Sequence, residues 1–261
     1  MRCLAVLSWI LLGSLFAGCG TKPAARQAAA PPIELTATLL DPNNIKINWT
    51  AQPGAAGYSV EWATNPNENY VILAFVGSET TSYVHPDLAP NMPCYYRVRP
   101  WFGAVSEKVE ITTGKAPDET APPLDSAWME PKKSSATVTG QKSLRNAGSV
   151  SDAGPTGLEA RLIHPTGIQL TWTDRASDED GYLLELKTDD LPDFLVCALL
   201  DPDVHSFGHT FVPPETKVYF RVRAFYYGEF SNPATQHTGP LPPAISGRSA
   251  PETPFTSAPH N

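Results

Sequence analysis

The densest group of reactive side chains is Asp174-Arg175-Ala176-Ser177-Asp178-Glu179-Asp180-Gly181, which packs four carboxylates into one short stretch. Dense carboxylate oxygens suit calcium, but the spacing fails an EF-hand loop, because counting from Asp178 puts Tyr182 where an oxygen ligand is required. His205 and His209 lie four residues apart, as in a zinc helix. Gly208 and strand-like flanks argue against that helix, and the glutamate of a His-Glu-x-x-His site is absent. No metal and no cofactor are expected. There is no Gly-x-Ser-x-Gly turn, no phosphate-cradling glycine loop and no cysteine beside groups that would lower its pKa, so the chain is not expected to be an enzyme. The remaining chemistry is aromatic. Phe225-Tyr226-Tyr227-Gly228-Glu229-Phe230 and Trp101-Phe102-Gly103 offer large rings at low entropic cost, and Trp101, Phe102, Tyr226 and Tyr227 are the candidate ligand-binding residues. Either they grip a protein or a sugar from the last hairpin of each half, or they fold back over a sheet edge and cover it.

The elements that position these residues occur twice. Ile45-Lys46-Ile47-Asn48-Trp49-Thr50 returns as Ile168-Gln169-Leu170-Thr171-Trp172-Thr173, and Gly57-Tyr58 with Glu61 returns as Gly181-Tyr182 with Glu185. Tyr95-Tyr96-Arg97-Val98-Arg99 matches Tyr219-Phe220-Arg221-Val222-Arg223 at an offset of 124, and Thr113-Gly114 matches Thr238-Gly239 at 125. Colinear matches over about 80 residues indicate duplication, with a period too long for a solenoid unit. Within each half apolar residues alternate, as in Ile45, Ile47, Trp49 and Tyr182, Leu184, Leu186. A period of two means half-buried strands, and turn clusters such as Pro42-Asn43-Asn44 separate them. The reading is all-β: two immunoglobulin-like antiparallel β-sandwiches.

The early strand ending in Trp-Thr, the Gly-Tyr-x-x-Glu strand and the Tyr-x-Arg-Val-Arg strand resemble fibronectin type III modules, over residues 33–114 and 154–239. In that family a leucine precedes a corner tyrosine by six residues. Here the count from Leu88 reaches Cys94 and the count from Val212 reaches Val218, so either the tyrosine is missing or the strand shifts by one residue. The favoured register buries Val98 and Val222 and leaves Cys94 at the edge of the core. Residues 115–153 lack apolar periodicity and read as a disordered linker, spanning on the order of 30 to 35 Å, that lets the halves move independently unless they dock. Trp128-Met129 is an apolar pair within it, for which chance is favoured over docking. Residues 240–261 are Pro-rich and read as an unfolded tail.

At the other end, Leu4 to Phe16 is too short an apolar run to span a bilayer but suits a signal-peptide core. Leu15-Phe16-Ala17-Gly18-Cys19 resembles a bacterial lipoprotein signal, which implies cleavage of residues 1–18, a lipid on Cys19 and a spacer over 19–32; an ordinary secretory cut near Gly18 is the alternative. The same resemblance implies, from Gly20 after the cysteine, sorting to the outer membrane of the cell envelope. Two or more acyl chains hold a protein on a membrane stably. Cys3 would leave with the signal, so Cys94 and Cys197 are either two buried thiols or an interdomain pair. The whole chain carries a formal net charge of −8, which disfavours nucleic acid as a partner. Expected partners are the membrane, through Cys19, and an envelope or extracellular protein or glycan. The function so read is non-enzymatic adhesion or scaffolding, with a carbohydrate-binding accessory protein as the alternative.

Overall fold

In the computed structural model the described residues are 31–116, 126–134, 139–146, 148, 150–210 and 212–240. Residues 1–18, Cys19 and the tail from residue 241 lie outside the described residues. The fold is all-β and its named strands pair antiparallel, with a single 3-10 turn at Ser151–Ala153 among the described residues.

In the first half β1 (Leu35–Asp41), β2 (Asn44–Trp49) and β5 (Ser82–His85) make one sheet, facing β3 (Gly57–Ala63), β4 (Val71–Gly77) and β6 (Pro93–Val105). The chain continues into β7 (Val109–Thr112). The second half repeats this with β9 (Thr156–His164), β10 (Gly167–Thr173) and β13 (Val204–His209) facing β11 (Gly181–Thr188), β12 (Leu195–Leu200) and β14 (Lys217–Tyr227), before β15 (Ala234–His237). A short β8 (Lys132–Lys133) adds itself to the edge of β13.

Alternation decides which face each strand buries. On β2 the side chains of Ile45, Ile47 and Trp49 enter the first core, and on β10 those of Ile168, Leu170 and Trp172 enter the second. Each such side chain contributes on the order of 1.5–3 kcal/mol when fully withdrawn from water. Val98 and Val222 are fully buried, as the favoured register requires. Cys94 is fully buried too, so it belongs to the core and not to its edge. Both remaining thiols are free, and burial pushes the Cys197 thiol up to about 12.

The halves do not close on themselves. After β6 the chain runs straight through Ser106 into β7, which pairs with β14 of the second half; after β14 it runs through Ser231 into β15, which pairs with β6 of the first. Between these exchanged ends β6 and β14 pair with each other, from Arg223 opposite Val105 to Tyr227 opposite Trp101. One continuous sheet of order β12-β11-β14-β6-β3-β4 therefore crosses both halves. Phe102 and Tyr226, equivalent in the repeat, face each other in this ribbon. A pseudo-twofold axis passes between them. The expectation of two independently moving modules is thereby corrected, since each supplies the other's last strand.

The exchange is held by matched bonds. Ser106 Oγ accepts the Val222 amide at 3.0 Å, and Ser231 Oγ accepts the Val98 amide at 3.0 Å. Thr113 Oγ1 donates to the Pro213 carbonyl at 2.6 Å, as Thr238 Oγ1 does to that of Ala89 at 2.7 Å. The terminal amides reach further, Gly114 to the Pro165 carbonyl and Gly239 to that of Pro42.

The linker is also corrected. Its described part packs on the second sandwich: Leu144 is 1% exposed in that core, and the Trp128 ring lies against Gly167 and Gly208, where an added Cβ would come within 2.7 Å and 2.6 Å of it. The Trp128-Met129 pair is thus a docking element, with the Gly208 amide donating to the Met129 carbonyl. Burying these isolated apolar side chains offsets the entropy of ordering the polar residues around them.

Candidate functional site

The four aromatic candidates meet at the seam, where strand pairing replaces the two expected hairpins. Trp101 is 3% exposed and shares a small core with Phe225 and Leu183. Its ring rests on Gly57, where a Cβ would come within 2.1 Å of Trp101 Cζ2 and 2.3 Å of the Val76 carbonyl, so the sequence needs a glycine there. Gly103, at φ +154°, is required in the same way, because a Cβ would lie 2.0 Å from the Ala224 carbonyl. The rings of Phe102 and Tyr226 stack at 5.4 Å between centroids. Tyr227 packs edge-on against Phe225 at 4.9 Å, and burial pushes its hydroxyl up to about 12. In the described residues these rings join the halves together.

On the same face of the long sheet stand two arginine pairs related by the repeat. Arg97 bonds Glu61 at 2.6 Å; Arg221 and Arg223 both bond Glu185, the latter at 2.7 Å. Glu185 is 3% exposed, and two guanidinium groups compensate its burial. In the first half Ser59 Oγ takes the second oxygen of Glu61, leaving Arg99 without a carboxylate. Arg97 lies instead between the rings of Tyr70 and Phe230, at 4.2 and 4.0 Å, and Arg99 between Tyr227 and Phe230, at 4.3 and 4.0 Å. In the second half, among the described residues, only Phe194 at 4.1 Å faces Arg221 and only Trp101 at 5.3 Å faces Arg223. Above these two guanidiniums opens a cleft of about 560 Å³, lined also by Phe75, Gly77 and Val196.

The acid-rich loop does other work. Asp178 accepts Ser143 Oγ at 2.5 Å and the Leu144 amide at 2.7 Å, while Asp180 pairs with Arg145 at 2.8 Å. Asp174 accepts the Tyr182 hydroxyl, the Ala176 amide and Gln141 Nε2. These carboxylates clamp the linker to the second sandwich, and the first half, with no such linker to hold, has Ala51-Gln52-Pro53-Gly54-Ala55 there. Oxygens of Asp174, Glu179 and Asp203 lie within 4.8 Å of one another, an arrangement that sequence spacing missed because Asp203 comes from a different loop. Burial raises the Glu179 carboxyl above its usual range, and one of its oxygens accepts the Asp203 amide at 3.1 Å. His85 and His209 occupy equivalent inward positions. His85 Nδ1 shares a hydrogen bond with the Tyr96 hydroxyl at 3.1 Å, His209 is 7% exposed against Phe220, and burial lowers both pKa values. His209 is therefore a core residue.

Fold and seam together define a pair of fibronectin type III-like sandwiches joined by exchanged strands. No protein-family model matches the chain, and no curated protein matches it. Among solved structures it is similar to an Fn3-like protein from Clostridium thermocellum, at 28% identity over 28% of this chain and 77% of that one, with a TM-score of 0.26. The FN3 domain of human collagen XX matches at 18% identity over 29% of this chain and 78% of that one, TM-score 0.25. A two-domain fibronectin type III segment of chicken tenascin matches at 13% identity over 79% of this chain and 97% of that one, TM-score 0.26.

Proposed function

We propose that the chain is a non-enzymatic scaffold of the cell envelope, tethered by lipid on Cys19, whose exchanged pair of sandwiches acts as one stiff body. The observation that carries this reading is the reciprocal exchange of β7 and β15, which removes the hinge that ordinary tandem modules keep between them. A stiff body fixes the distance and orientation at which a partner is held, and tethering near a membrane raises the effective concentration of weak contacts. The anchor rests on the Leu15-Phe16-Ala17-Gly18-Cys19 segment, with residues 19–32 as spacer and the outer membrane as the destination. Partners are an envelope or extracellular protein or a glycan. The carbohydrate-binding alternative loses support from Trp101, whose ring is committed to the seam. In a bacterial host, mass spectrometry of the purified native protein is expected to find acyl chains on Cys19, and Cys19→Ser is expected to move the chain from the membrane to the soluble fraction. An unmodified Cys19, or a variant that stays on the membrane, overturns the anchor.

A further inference from the structure

We propose that the cleft over Arg221 and Arg223 binds an extended peptide segment of a partner protein, which lays an aromatic side chain across the two guanidinium groups. This deepens the scaffold reading, on which it rests, by naming the partner's chemistry. The molecule itself shows what covers such an arginine pair. In the first half Tyr70, Tyr227 and Phe230 do so, and the cation faces match the negative faces of the rings. Phe194 repeats Tyr70 in the second half, but the counterpart of Tyr227 is Gly103, and the offset of 124 that relates these residues lengthens to 125 by Ser231, so the Phe230 segment carries one extra residue. Arg221 and Arg223 therefore lack counterparts of the Tyr227 and Phe230 rings; Phe194 flanks Arg221 and Trp101 flanks Arg223, and all four line the cleft. Each of these arginines bonds Glu185 through Nε, and their terminal nitrogens make no hydrogen bond among the described residues.

The cleft also favours a peptide over a free aromatic compound. Its rim is formed by residues of β4 and β12 and their flanks, and these are the two end strands of the long sheet. Among the described residues neither has a partner on its outer side, so their main-chain groups are open to an added strand. Leu195, at the rim, is an exposed apolar side chain that such a segment would cover.

The probe is a capped synthetic peptide copying residues 226–231, titrated into the full-length chain and followed by amide NMR shifts. Saturable shifts are expected at Gly77–Thr80 and Phe194–Val196. A peptide with alanine in place of the Phe230 ring should bind about tenfold more weakly, the scale of one cation–π contact. Gly77→Trp places a ring at the cleft, and because a Cβ there meets no atom within 4 Å, the variant keeps its fold; it should weaken binding at least about tenfold. Arg221→Gln keeps a donor to Glu185 and removes the cation, with a similar loss expected. Shifts that cluster elsewhere, or affinities untouched by Gly77→Trp and Arg221→Gln, overturn the proposal. So does a capped phenylalanine amide that binds as tightly as the peptide, since it leaves the strand edges no part. None of these results bears on the lipid at Cys19, which the fractionation experiment tests separately.

Discussion

The two halves place the same arginine pair on the same strand, yet one pair is roofed by aromatic rings and the other faces a cleft. Tyr227 and Phe230, which cover Arg97 and Arg99, come from the second half, at the end of β14 and in the segment that leads to the exchanged β15. The equivalent end of β6 brings Gly103 and Val105 to the other side. Gly103 cannot become a larger residue there, because its Cβ would collide with the Ala224 carbonyl. The backbone geometry that lets the strands cross thus forbids a second roof at that position. Exchange keeps the repeats nearly symmetric in hydrogen bonding while letting their surfaces diverge.

If the halves are one body, damage in one core must unfold both. Phe220→Ala, at a fully buried position of the second core, is expected to cost about 3–5 kcal/mol. The comparison is broken or sharpened by where the loss appears. Calorimetry should show one transition, and hydrogen exchange should quicken in β3 of the first half as much as in β11. Two separable transitions, with the first half unmoved, would mean that the shared strands carry little of the stability.

Strands and cores were legible because period two leaves little freedom: Ile45, Ile47 and Trp49 can face only one way together. The exchange was not legible for a physical reason. Val109-Glu110-Ile111-Thr112 presents the same edge to β6 or to β14, and duplication offers it two nearly identical partners. A signal exists in the three residues between β6 and β7, which contain no turn glycine, but Gly103 draws the expected hairpin to itself. Linker docking was hidden because Leu144 and Trp128 are single apolar residues without periodicity. The matching clue was the set of carboxylates between Asp174 and Asp180, which has no counterpart in the first half. The cleft depends on one extra residue near Phe230 and on what faces it across the seam, which no single segment reveals.

The bridging serines provide a finer test of the symmetry. Ser106→Ala and Ser231→Ala each leave a buried amide, that of Val222 or Val98, without its side-chain acceptor, although each amide's neighbouring carbonyl keeps its bond to the serine backbone. The expected cost is about 1–3 kcal/mol apiece. Denaturant melts should give equal losses for the two variants. A large loss at one position and none at the other would show that a single crossing holds the halves together.

The smallest expected effect compares His85 with His209. Burial lowers both pKa values, so the folded state prefers the neutral ring more than the unfolded chain does. Above an unfolded pKa of about 6.5 both states are neutral and these groups add no pH dependence. As pH falls through that value the unfolded chain takes up protons first, so stability declines until the folded-state pKa values are passed. His209→Gln and His85→Gln should each flatten the decline measured by thermal melts between pH 7 and pH 5. His209 should flatten it more, because it is the more deeply buried. A steeper dependence on His85 would mean that the Tyr96 bond, and not burial, sets the behaviour of this pair.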